Sequence, residues 1–347
     1  MTFELKPFRI GSLTVNLPVT LAPMAGYTDL IYRTICRRFG AEYCTTEMLL
    51  DRLTLMKGKV QARMLRTGPQ DHPVAAQIVG NEPASMAQAA KAVEDMGFDV
   101  IDLNFACPVH KALSRRRGGY MMCQVQPVRD IIRAVCQVAT KPVTIKVRQK
   151  YRSADNEDNF WAIAEAAFDF GVSAITVHGR SVETKYFGPA DWEFIASVKR
   201  HFGSRTIVGS GDVLTPAKAL EMLRQTGVDA VAVARGGLGN PWFFRQLLDL
   251  AAGRPMYAPS LAEQREVLLH HFAEDCAMYG DDKGPKHMRG FAVKYAKMHP
   301  TPKDLRIAFV AVRSPQQWRE VVDRYYAGQT HADGETPMPN DQGPMTS

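Results

Sequence analysis

Eight short apolar segments recur between residues 17 and 233, and their composition predicts buried β-strands. We place these strands at residues 17–23, 41–46, 73–79, 100–104, 143–147, 174–177, 206–209 and 230–233. Stretches of helical length separate them, among them residues 26–39, 83–96, 127–139, 156–170, 191–201 and 216–225. Thr215 is a candidate N-cap for the last of these helices. Continuous apolar strands that alternate with helices are typical of a parallel sheet covered on both faces.

Two folds satisfy this alternation, a closed barrel and an open doubly wound sheet. Polar or special residues follow nearly every predicted strand instead of clustering at one switch point, which favours the barrel. These residues are Pro23, Glu47, Gln77, Asn104, Lys146, His178, Asp212 and Arg235. We therefore predict an α/β protein with a TIM (βα)8 barrel over residues 1–250, and we expect these side chains to meet at its mouth.

The composition changes after the eighth strand. Residues 250–260 are rich in Pro and Gly and predict a linker. Beyond it, residues 261–278, 285–299, 302–312 and 315–326 predict a small helical bundle, so that residues 251–326 form a second domain. Residues 327–347 contain almost no apolar side chains, and we predict that this tail is disordered.

The cysteine pattern and the hydropathy of the sequence indicate the cellular compartment. The six cysteines show neither a CxxC pair nor a Cys/His metal spacing, which argues against a zinc or iron–sulfur site and favours a reducing compartment. The N-terminus has no basic region leading into an apolar one, and no apolar run approaches ~20 residues. We expect a cytoplasmic protein with no membrane partner and no metal.

Residues 101–120 contain the strongest candidate for a reactive group. Cys107 follows the strand that ends at Asn104, and Pro108 prevents an immediate helix, so the cysteine is predicted to lie in a turn. Lys111 and the run 115–117 then precede a glycine pair that resembles a hinge. A thiol beside a basic loop suggests chemistry on an anion. The alternative is a small buried hydrophobic residue, which is the commoner role of cysteine.

Two glycine-containing loops, residues 209–212 and 234–237, follow the seventh and eighth strands. In βα barrels this pair of loops commonly binds phosphate, and Arg235 adds charge, although tight turns alone would also explain the glycines. Lys146, His178 and Gln77 end other strands and offer a cation, an imidazole and an amide. Neither GxGxxG after a strand nor a Walker sequence is present. Together these residues predict a phosphorylated, planar cofactor that forms hydrogen bonds, and FMN matches this description better than pyridoxal phosphate does.

The predicted helix 285–299 has one basic and one apolar face. Lys286, Arg289, Lys294 and Lys297 fall within an arc of about 140°, opposite Met288, Phe291, Ala292, Tyr295 and Met298. Residues 283–313 contain eight basic residues and one acid, a difference equal to the net charge of +7 of the whole chain. This face is either an ordinary solvated surface or a contact for nucleic-acid phosphates.

Ordered motifs between residues 19 and 326 resemble the bacterial tRNA dihydrouridine synthases, flavin enzymes that reduce the C5=C6 bond of uridine. The motifs are APMAGYTD at 22–29, AQIVG at 76–80, DLNFACP at 102–108, IKVR at 145–148, VHGR at 177–180, GPADW at 188–192, GSGDV at 209–213 and ARGGLGNPW at 234–242. The resemblance implies that Cys107 protonates C5 while reduced FMN gives hydride to C6, with NADPH or NADH as a transient reductant.

The resemblance also assigns binding residues. Pro23, Met24, Gln77, Lys146, His178, Gly211, Arg235 and Gly236 match flavin-binding positions. Asn104 and Arg180 match positions near the target base, and the C-terminal helices match an RNA-binding domain, which makes Lys286, Arg289 and Lys297 candidates for contact with RNA. The expected partner is tRNA, with rRNA as an alternative, and the expected state is a monomer.

Two other functions fit parts of the pattern. An FMN oxidoreductase for a small metabolite, such as a dihydroorotate-type enzyme, would use the same barrel but would not need the basic helix. A noncatalytic RNA-binding protein on an inherited barrel would bind RNA without a flavin.

Overall fold

The structure, a computed structural model, describes residues 2–326. The chain forms two compact units that separate after Ala258. The sequence placed the boundary eight residues earlier, at 250. Residues 252–258 stay with the first unit because the Tyr257 carbonyl accepts a hydrogen bond of 3.0 Å from Gln246 Nε2 and the Tyr257 ring packs on the Arg245 guanidinium. The predicted disordered tail, residues 327–347, lies outside the described residues.

The first unit contains the strands. They are β1 (Phe8–Ile10), β2 (Leu13–Val15), β3 (Val19–Leu21), β4 (Cys44–Thr45), β5 (Leu49–Leu50), β6 (Val74–Val79), β7 (Val100–Asn104), β8 (Val143–Arg148), β9 (Ala174–His178), β10 (Thr206–Ser210) and β11 (Ala230–Val233). The segment predicted at 17–23 forms only the three residues of β3, and β4 covers two residues of the segment predicted at 41–46.

The parallel strands close into a barrel. Neighbouring strands pair in the order β3, β4, β6, β7, β8, β9, β10 and β11, and β11 pairs with β3 to close the ring. Both β4 and β5 pair with β6, so these two short strands share one position in the ring. The predicted (βα)8 barrel is therefore confirmed.

An antiparallel hairpin of β1 and β2 closes the N-terminal end of the barrel. Phe8, Ile10 and Val15 are buried in one cluster with Val100 and Ala230, which lie at the start of barrel strands. The sequence did not predict this hairpin, because strands of three residues are too short to show a period of two. With one end filled by apolar side chains, the barrel is open to a ligand at the opposite end.

Helices cover the barrel. They are α1 (Leu30–Arg38), α2 (Asp51–Leu55), α3 (Lys59–Met64), α4 (Pro83–Asp95), α5 (His110–Leu113), α6 (Val125–Val138), α7 (Asp158–Asp169), α8 (Trp192–Phe202), α9 (Pro216–Thr226) and α10 (Phe243–Ala251). The predicted N-cap Thr215 is confirmed, since its hydroxyl accepts from the Lys218 N–H at 3.3 Å. Helix α10 was not predicted.

The second unit consists of α11 (Leu261–Tyr279), α12 (Gly284–Tyr295), α13 (Pro302–Ala311) and α14 (Pro315–Tyr326). Trp318 is central to its core, stacking on Phe272 at 4.7 Å between ring centroids and contacting Phe309 at the same distance. The helix predicted at 285–299 is shorter in the structure. It ends at Tyr295, and a 3-10 turn, Ala296–Met298, follows it. Within residues 2–326, every helix is too short or too polar to span a bilayer.

Candidate active site

The strand register brings the polar side chains of the barrel to one end. Asn104 pairs with Lys146, Gln77 with Asp102, and Arg148 with His178. Residues two apart on a strand point to the same face, so these inward-facing groups form layers inside the barrel. A cavity of about 270 Å³ opens above them at the carboxyl ends of the strands. Its walls include the predicted site residues Pro23, Met24, Gln77, Asn104, Cys107, Lys146, His178, Gly211 and Arg235.

A continuous chain of hydrogen bonds runs from the barrel interior to the cysteine. The buried Asp102 accepts from Thr144 Oγ1 and from Gln77 Nε2, each at 2.7 Å. Gln77 Oε1 accepts from Asn104 Nδ2 at 2.6 Å, and Asn104 Oδ1 accepts from the backbone N–H of Cys107 at 2.9 Å. Each acceptor thereby fixes the direction of the next amide. The turn that contains Cys107 is held by this chain.

The thiol of Cys107 is half-buried at the cavity wall. Burial raises the pKa of Cys107 above its usual value, and the backbone N–H of Val109 and the charge of Arg148 only partly offset this. The group is therefore a neutral thiol at physiological pH. A neutral thiol can give a proton, whereas nucleophilic cysteines need a lowered pKa.

The glycine pair that the sequence suggested as a hinge is a packing contact. A Cβ on Gly118, whose φ is +58°, would lie 2.8 Å from Cys107 Cβ, and one on Gly119 would lie 2.7 Å from a methyl of Val182. The adjacent Arg117 belongs to the basic run 115–117, but its guanidinium contacts the buried Asp51 at 3.7 Å. The loop after Cys107 thus packs against the cysteine, and only Lys111, Arg115 and Arg116 of its cations are exposed.

Cations dominate the centre of the cavity. Lys146 Nζ lies 3.4 Å from Ser210 Oγ, and burial lowers the pKa of Lys146 to about 8, with Asp102 opposing and Arg148 adding to the shift. His178 is neutral, since burial and then the charges of Arg148 and Lys146 hold its pKa well below the ordinary value. Its Nδ1 is buried and has no hydrogen-bond partner within residues 2–326. A ligand with acceptor and donor atoms would satisfy these groups.

The two predicted phosphate loops lie against each other. A Cβ on Gly236 would lie 2.5 Å from the Val213 carbonyl oxygen, so glycine allows this approach, although Gly236 itself is not on the cavity wall. Gly211 has φ of +124° and also lacks room for a side chain beside Ala190. Arg235 lies 3.4 Å from an oxygen of Asp212 and remains partly exposed. The loops therefore present backbone and a guanidinium to the cavity.

Arg180, which the resemblance assigns to a position near the target base, does not itself line the cavity. It is buried behind the cavity wall, where Nη2 donates to both carboxylate oxygens of Asp212 at 2.5 and 2.7 Å and to the Gly188 carbonyl at 2.6 Å. Burial acts to raise the pKa of Asp212, but the hydrogen bonds from Arg180 and the Ala190 N–H hold it below its usual value. Arg180 thus fixes the loop around Gly188 to the phosphate loop.

Several residues of the site were not predicted, among them Asp102, Arg148 and Tyr186. Arg148 donates to the Ala106 carbonyl at 2.9 Å, and its guanidinium lies 5.8 Å from the centre of the Tyr186 ring. A signal existed for two of them, because Asp102 shares a strand face with Asn104, and Arg148 shares one with Lys146. Tyr186 lies on a loop, where no period indicates direction.

The candidate RNA-contacting residues belong to the second unit. Lys286 is exposed and Arg289 is half-exposed on α12, and neither makes an ion pair with any residue that the structure describes. Lys297 lies beyond the end of α12 in the 3-10 turn, and burial, followed by repulsion from Lys294, lowers the pKa of Lys297 to about 8. The opposite face is apolar as predicted, with Met288, Phe291 and Tyr295 buried.

Comparison with known proteins identifies the family. The sequence profile of the dihydrouridine synthases matches residues 20–329. The chain belongs to the dihydrouridine synthase family. A relative in the family, tRNA-dihydrouridine synthase B of Xanthomonas axonopodis pv. citri (strain 306), is 36% identical over 320 residues, covering 92% of this chain and 95% of the relative. A probable tRNA-dihydrouridine synthase of Rickettsia prowazekii (strain Madrid E) is 34% identical over 321 residues, covering 92% and 97%.

Solved structures share the barrel of this dihydrouridine synthase family member. An old yellow enzyme homologue from Zymomonas mobilis superposes with a TM-score of 0.54 at 14% identity, covering 73% of this chain and 93% of the homologue. Histamine dehydrogenase from Rhizobium sp. 4-9 gives a TM-score of 0.58 at 14% identity, covering 77% and 50%. At this identity the likeness concerns the fold alone.

Proposed function

We propose that this protein reduces uridine in RNA, with tRNA as the substrate, to 5,6-dihydrouridine in an FMN-dependent reaction. Family membership supports the reaction class. The observation that carries the proposal is the protonated thiol of Cys107 on the wall of a cationic cavity, next to two glycine loops suited to a phosphate. The barrel would carry out the reaction, and the helices of the second unit, α11 to α14, would bind RNA.

The residues of the cavity fit a flavin. The buried Nδ1 of His178 lacks a partner in the described residues, and Lys146 is a partly buried cation whose pKa is lowered to about 8. Gly211 leaves no room for a side chain at the cavity, and Gly236 allows the two glycine loops to pack together. Pro23, Met24, Gln77 and Arg235 would complete the binding site. Bound there after reduction by NADPH or NADH, the flavin would supply hydride for C6 of the uracil ring.

Cys107 would supply the proton. When hydride reaches C6, negative charge develops on C5 and O4 of the uracil, and an acid must deliver a proton to C5. The neutral thiol gives that proton and then recovers one from solvent, so the ring gains H⁻ at C6 and H⁺ at C5. Asn104 positions the thiol through the Cys107 N–H, and nearby cations stabilise the developing oxyanion. Arg180 would support the loop that carries Tyr186 beside the base.

The substrate explains the open cavity and the basic helix. A uridine within folded RNA must leave its stack before the half-buried thiol of Cys107 can reach C5. We propose that Lys286, Arg289 and Lys297 contact phosphates of that RNA and hold it during this step. Phosphate contacts supply affinity without reading sequence, so the basic helix does not itself select the target uridine.

Substitution of Cys107 tests the proposal. Cys107→Ala should retain flavin and bind tRNA but form dihydrouridine about 10² to 10⁴ times more slowly, the usual contribution of a general acid. Cys136→Ala is the matched control, since Cys136 is a half-buried cysteine on α6 that does not line the cavity. Dihydrouridine would be quantified by mass spectrometry of digested tRNA. Normal dihydrouridine formation by Cys107→Ala would show that the thiol is only structural.

The same preparations separate the alternatives. A noncatalytic RNA-binding protein would purify without flavin and would not regain it on reconstitution. An oxidoreductase for a small metabolite would transfer hydride between its flavin and that metabolite, for example reducing oxidised flavin with a dihydropyrimidine acid, at a rate independent of RNA. Flavin absorbance and RNA-dependent turnover therefore decide between the three functions.

A further inference from the structure

A second charged surface lies on the barrel itself, in residues 50–66, and the proposed function does not yet use it. This segment comprises the end of β5, the short helices α2 and α3, and the turn between them. Leu55, Met56 and Val60 are 44, 59 and 53% exposed. Five basic residues and no acid lie between positions 52 and 66. Such a combination of exposed apolar side chains and cations is uncommon on a surface that faces only water.

The segment leaves the barrel at the mouth of the cavity. Leu49 and Leu50 pair with Ile78 and Val79, the carboxyl-terminal residues of β6. Met48, immediately before β5, lines the cavity. Because all barrel strands are parallel, the segment starts at the same edge as Cys107. Whatever enters the cavity therefore passes close to the start of this segment.

The first residue of α2 attaches the segment to the Cys107 loop. Asp51 is buried and accepts from Ser85 Oγ at 2.8 Å, and a Cβ on Gly80 would lie 2.6 Å from its Oδ2. Arg117, next to the glycine pair that packs on Cys107, contacts Asp51 at 3.7 Å. The start of the segment is thus fixed, while the cations beyond it are exposed.

Four of these cations have no carboxylate partner among the described residues. Arg52, Lys57, Lys59 and Arg66 are exposed, and none forms an ion pair with a residue in the range 2–326. By contrast, exposed cations on the barrel helices, such as Lys91 and Arg200, are paired with Asp95 and Glu193. Unpaired cations with interspersed apolar side chains match the chemistry of RNA, which presents phosphates and the faces of unstacked bases.

We propose that residues 52–66 form an RNA-contacting surface at the mouth of the barrel. Arg52, Lys57 and Lys59 bind phosphates beside the target uridine, and Met56 and Val60 contact bases or sugars that the displaced nucleotide leaves exposed. This inference rests on the proposed function for the identity of its ligand. It adds a binding surface that belongs to the catalytic barrel and does not depend on the C-terminal helices.

Salt-dependent binding tests the charges. The probe is an unmodified tRNA transcript, titrated with the full-length flavin-loaded protein between 50 and 300 mM KCl. Arg52→Gln, Lys57→Gln and Lys59→Gln combined should reduce the log–log slope by about two, since each single-strand phosphate contact contributes ~0.7. The control combines Lys91→Gln, Arg200→Gln and Lys218→Gln, which remove the same charge from paired cations and should leave the slope within about 0.5 of the wild type.

A second variant tests the apolar part of the surface. Met56→Ser with Val60→Ser should leave the slope unchanged but weaken binding about three- to tenfold when extrapolated to high salt, because apolar contacts do not release counterions. The alternative is that this surface binds a second copy of the chain, and light scattering would detect such a dimer. A wild-type dimer that the serine variant converts to a monomer would overturn the proposal.

The outcomes separate this inference from the proposed function. If the wild type binds the transcript and makes dihydrouridine but the charge variant keeps its slope, only the surface at residues 52–66 is wrong. If the wild type neither binds the transcript nor modifies it, the proposed function fails and the surface loses its ligand.

Discussion

A single carboxylate, that of Asp102, determines how the amides of Gln77 and Asn104 are turned. Burial raises the pKa of Asp102, while hydrogen bonds from Gln77 and Thr144 and the charge of Lys146 act to lower it. In its ionised form the carboxylate only accepts, so Gln77 must present Nε2 to it and Oε1 to Asn104. The direction of both amides at the cavity thus depends on one acid beneath them.

Lys146 should make flavin binding sensitive to pH. Its folded-state pKa of about 8 lies below the ordinary value, so the ammonium form is present below pH 8 and is lost as the pH rises through it. If only the ammonium form binds, FMN affinity should be about tenfold lower at pH 9 than at pH 7. Quenching of FMN fluorescence on titration measures this affinity.

Two variants assign the effect. The Lys146→Met variant should bind FMN weakly, with the same affinity at pH 7 and pH 9. Because Lys297 also has a pKa of about 8 and is unchanged in this variant, loss of the pH dependence would assign it to Lys146. Asp102→Asn removes the charge that supports the ammonium and should move the midpoint to lower pH. A pH profile that is identical in Lys146→Met and the wild type would contradict the assignment.

Gly118 should tolerate no side chain. Gly118→Ala adds a Cβ 2.8 Å from Cys107 Cβ at φ of +58°, so it combines backbone strain of about 1 kcal/mol with an overpacking cost of about 1–3 kcal/mol. Gly227→Ala is the control, because Gly227 has φ of +66° and no heavy atom within 4 Å of the added Cβ. Urea denaturation should show the larger loss for Gly118→Ala, and equal losses would mean that the contact with Cys107 is not tight.

At the residue scale, the sequence predicted the cavity well where strands end. Five predicted residues line the cavity: Pro23, Gln77, Asn104, Lys146 and His178. Residues at the carboxyl ends of the strands of a βα barrel face its mouth, so strand order alone was enough to place them. Arg180 and Gly236 do not line it. Their positions depend on contacts with Asp212 and Val213, which are 32 and 23 residues away along the chain, and no local pattern reveals such contacts.

At the scale of elements, α12 has one buried apolar face and one basic face. Its buried residues Met288, Phe291 and Tyr295 recur at the helical period, which leaves Lys286 and Arg289 on the other side. The sequence predicted this face correctly but extended the helix to residue 299. The chain instead tightens into a 3-10 turn at Ala296. Lys297 is therefore displaced from the line that an ideal α-helix would give it.

The basic face should contribute to RNA affinity in a salt-dependent way. Lys286→Ala, Arg289→Ala and Lys297→Ala combined should reduce the slope of log affinity against log salt by about 0.7 to 0.9 for each phosphate that the protein no longer binds. Filter binding of a tRNA transcript at several KCl concentrations measures the slope. The matched control replaces the paired cations Lys91, Arg200 and Lys218 by Ala. An unchanged slope in the first variant would assign the face to ordinary solvation.

Short elements were the ones that the sequence could not show. The β1–β2 hairpin has three residues in each strand, and the second barrel position is divided between β4 and β5, which have two residues each. These segments form strands because they pair with neighbouring strands, and such tertiary contacts are not visible in the local sequence. Helix α10 begins at Phe243, six residues after the phosphate loop 234–237, and the buried stretch 236–244 runs from that loop into the helix without a visible boundary.

At the scale of the whole molecule, the barrel follows from the number and order of its strands. Eight apolar segments alternating with helices are visible in the sequence, but closure is not, because β11 and β3 are separated by the entire barrel. The preference for closure came from polar residues at nearly every strand end, which an open sheet would not require. The division after Ala258 depended on a side-chain contact to Tyr257 and could not be located more closely than the linker.

Flavin should stabilise the folded protein as a whole. A ligand that binds only the native state at 100 times its Kd adds about 2.7 kcal/mol, which corresponds to a rise in Tm of roughly 5 to 10 °C for a domain of this size. Differential scanning fluorimetry with added FMN measures the shift. Riboflavin, which lacks the phosphate, should give a smaller rise, and Arg235→Ala should reduce the difference between the two ligands. Equal shifts would place the phosphate outside the two glycine loops.

The packing of Gly118 on Cys107 should make the thiol resistant to oxidation. Peroxides attack thiolates, and the attack requires an open approach to sulfur. Cys107 is kept as a thiol by burial and is covered on one side by the glycine turn. We therefore expect hydrogen peroxide to convert Cys107 to a sulfenic acid only slowly, so that the burial which keeps the proposed proton donor protonated also protects the sulfur from oxidation.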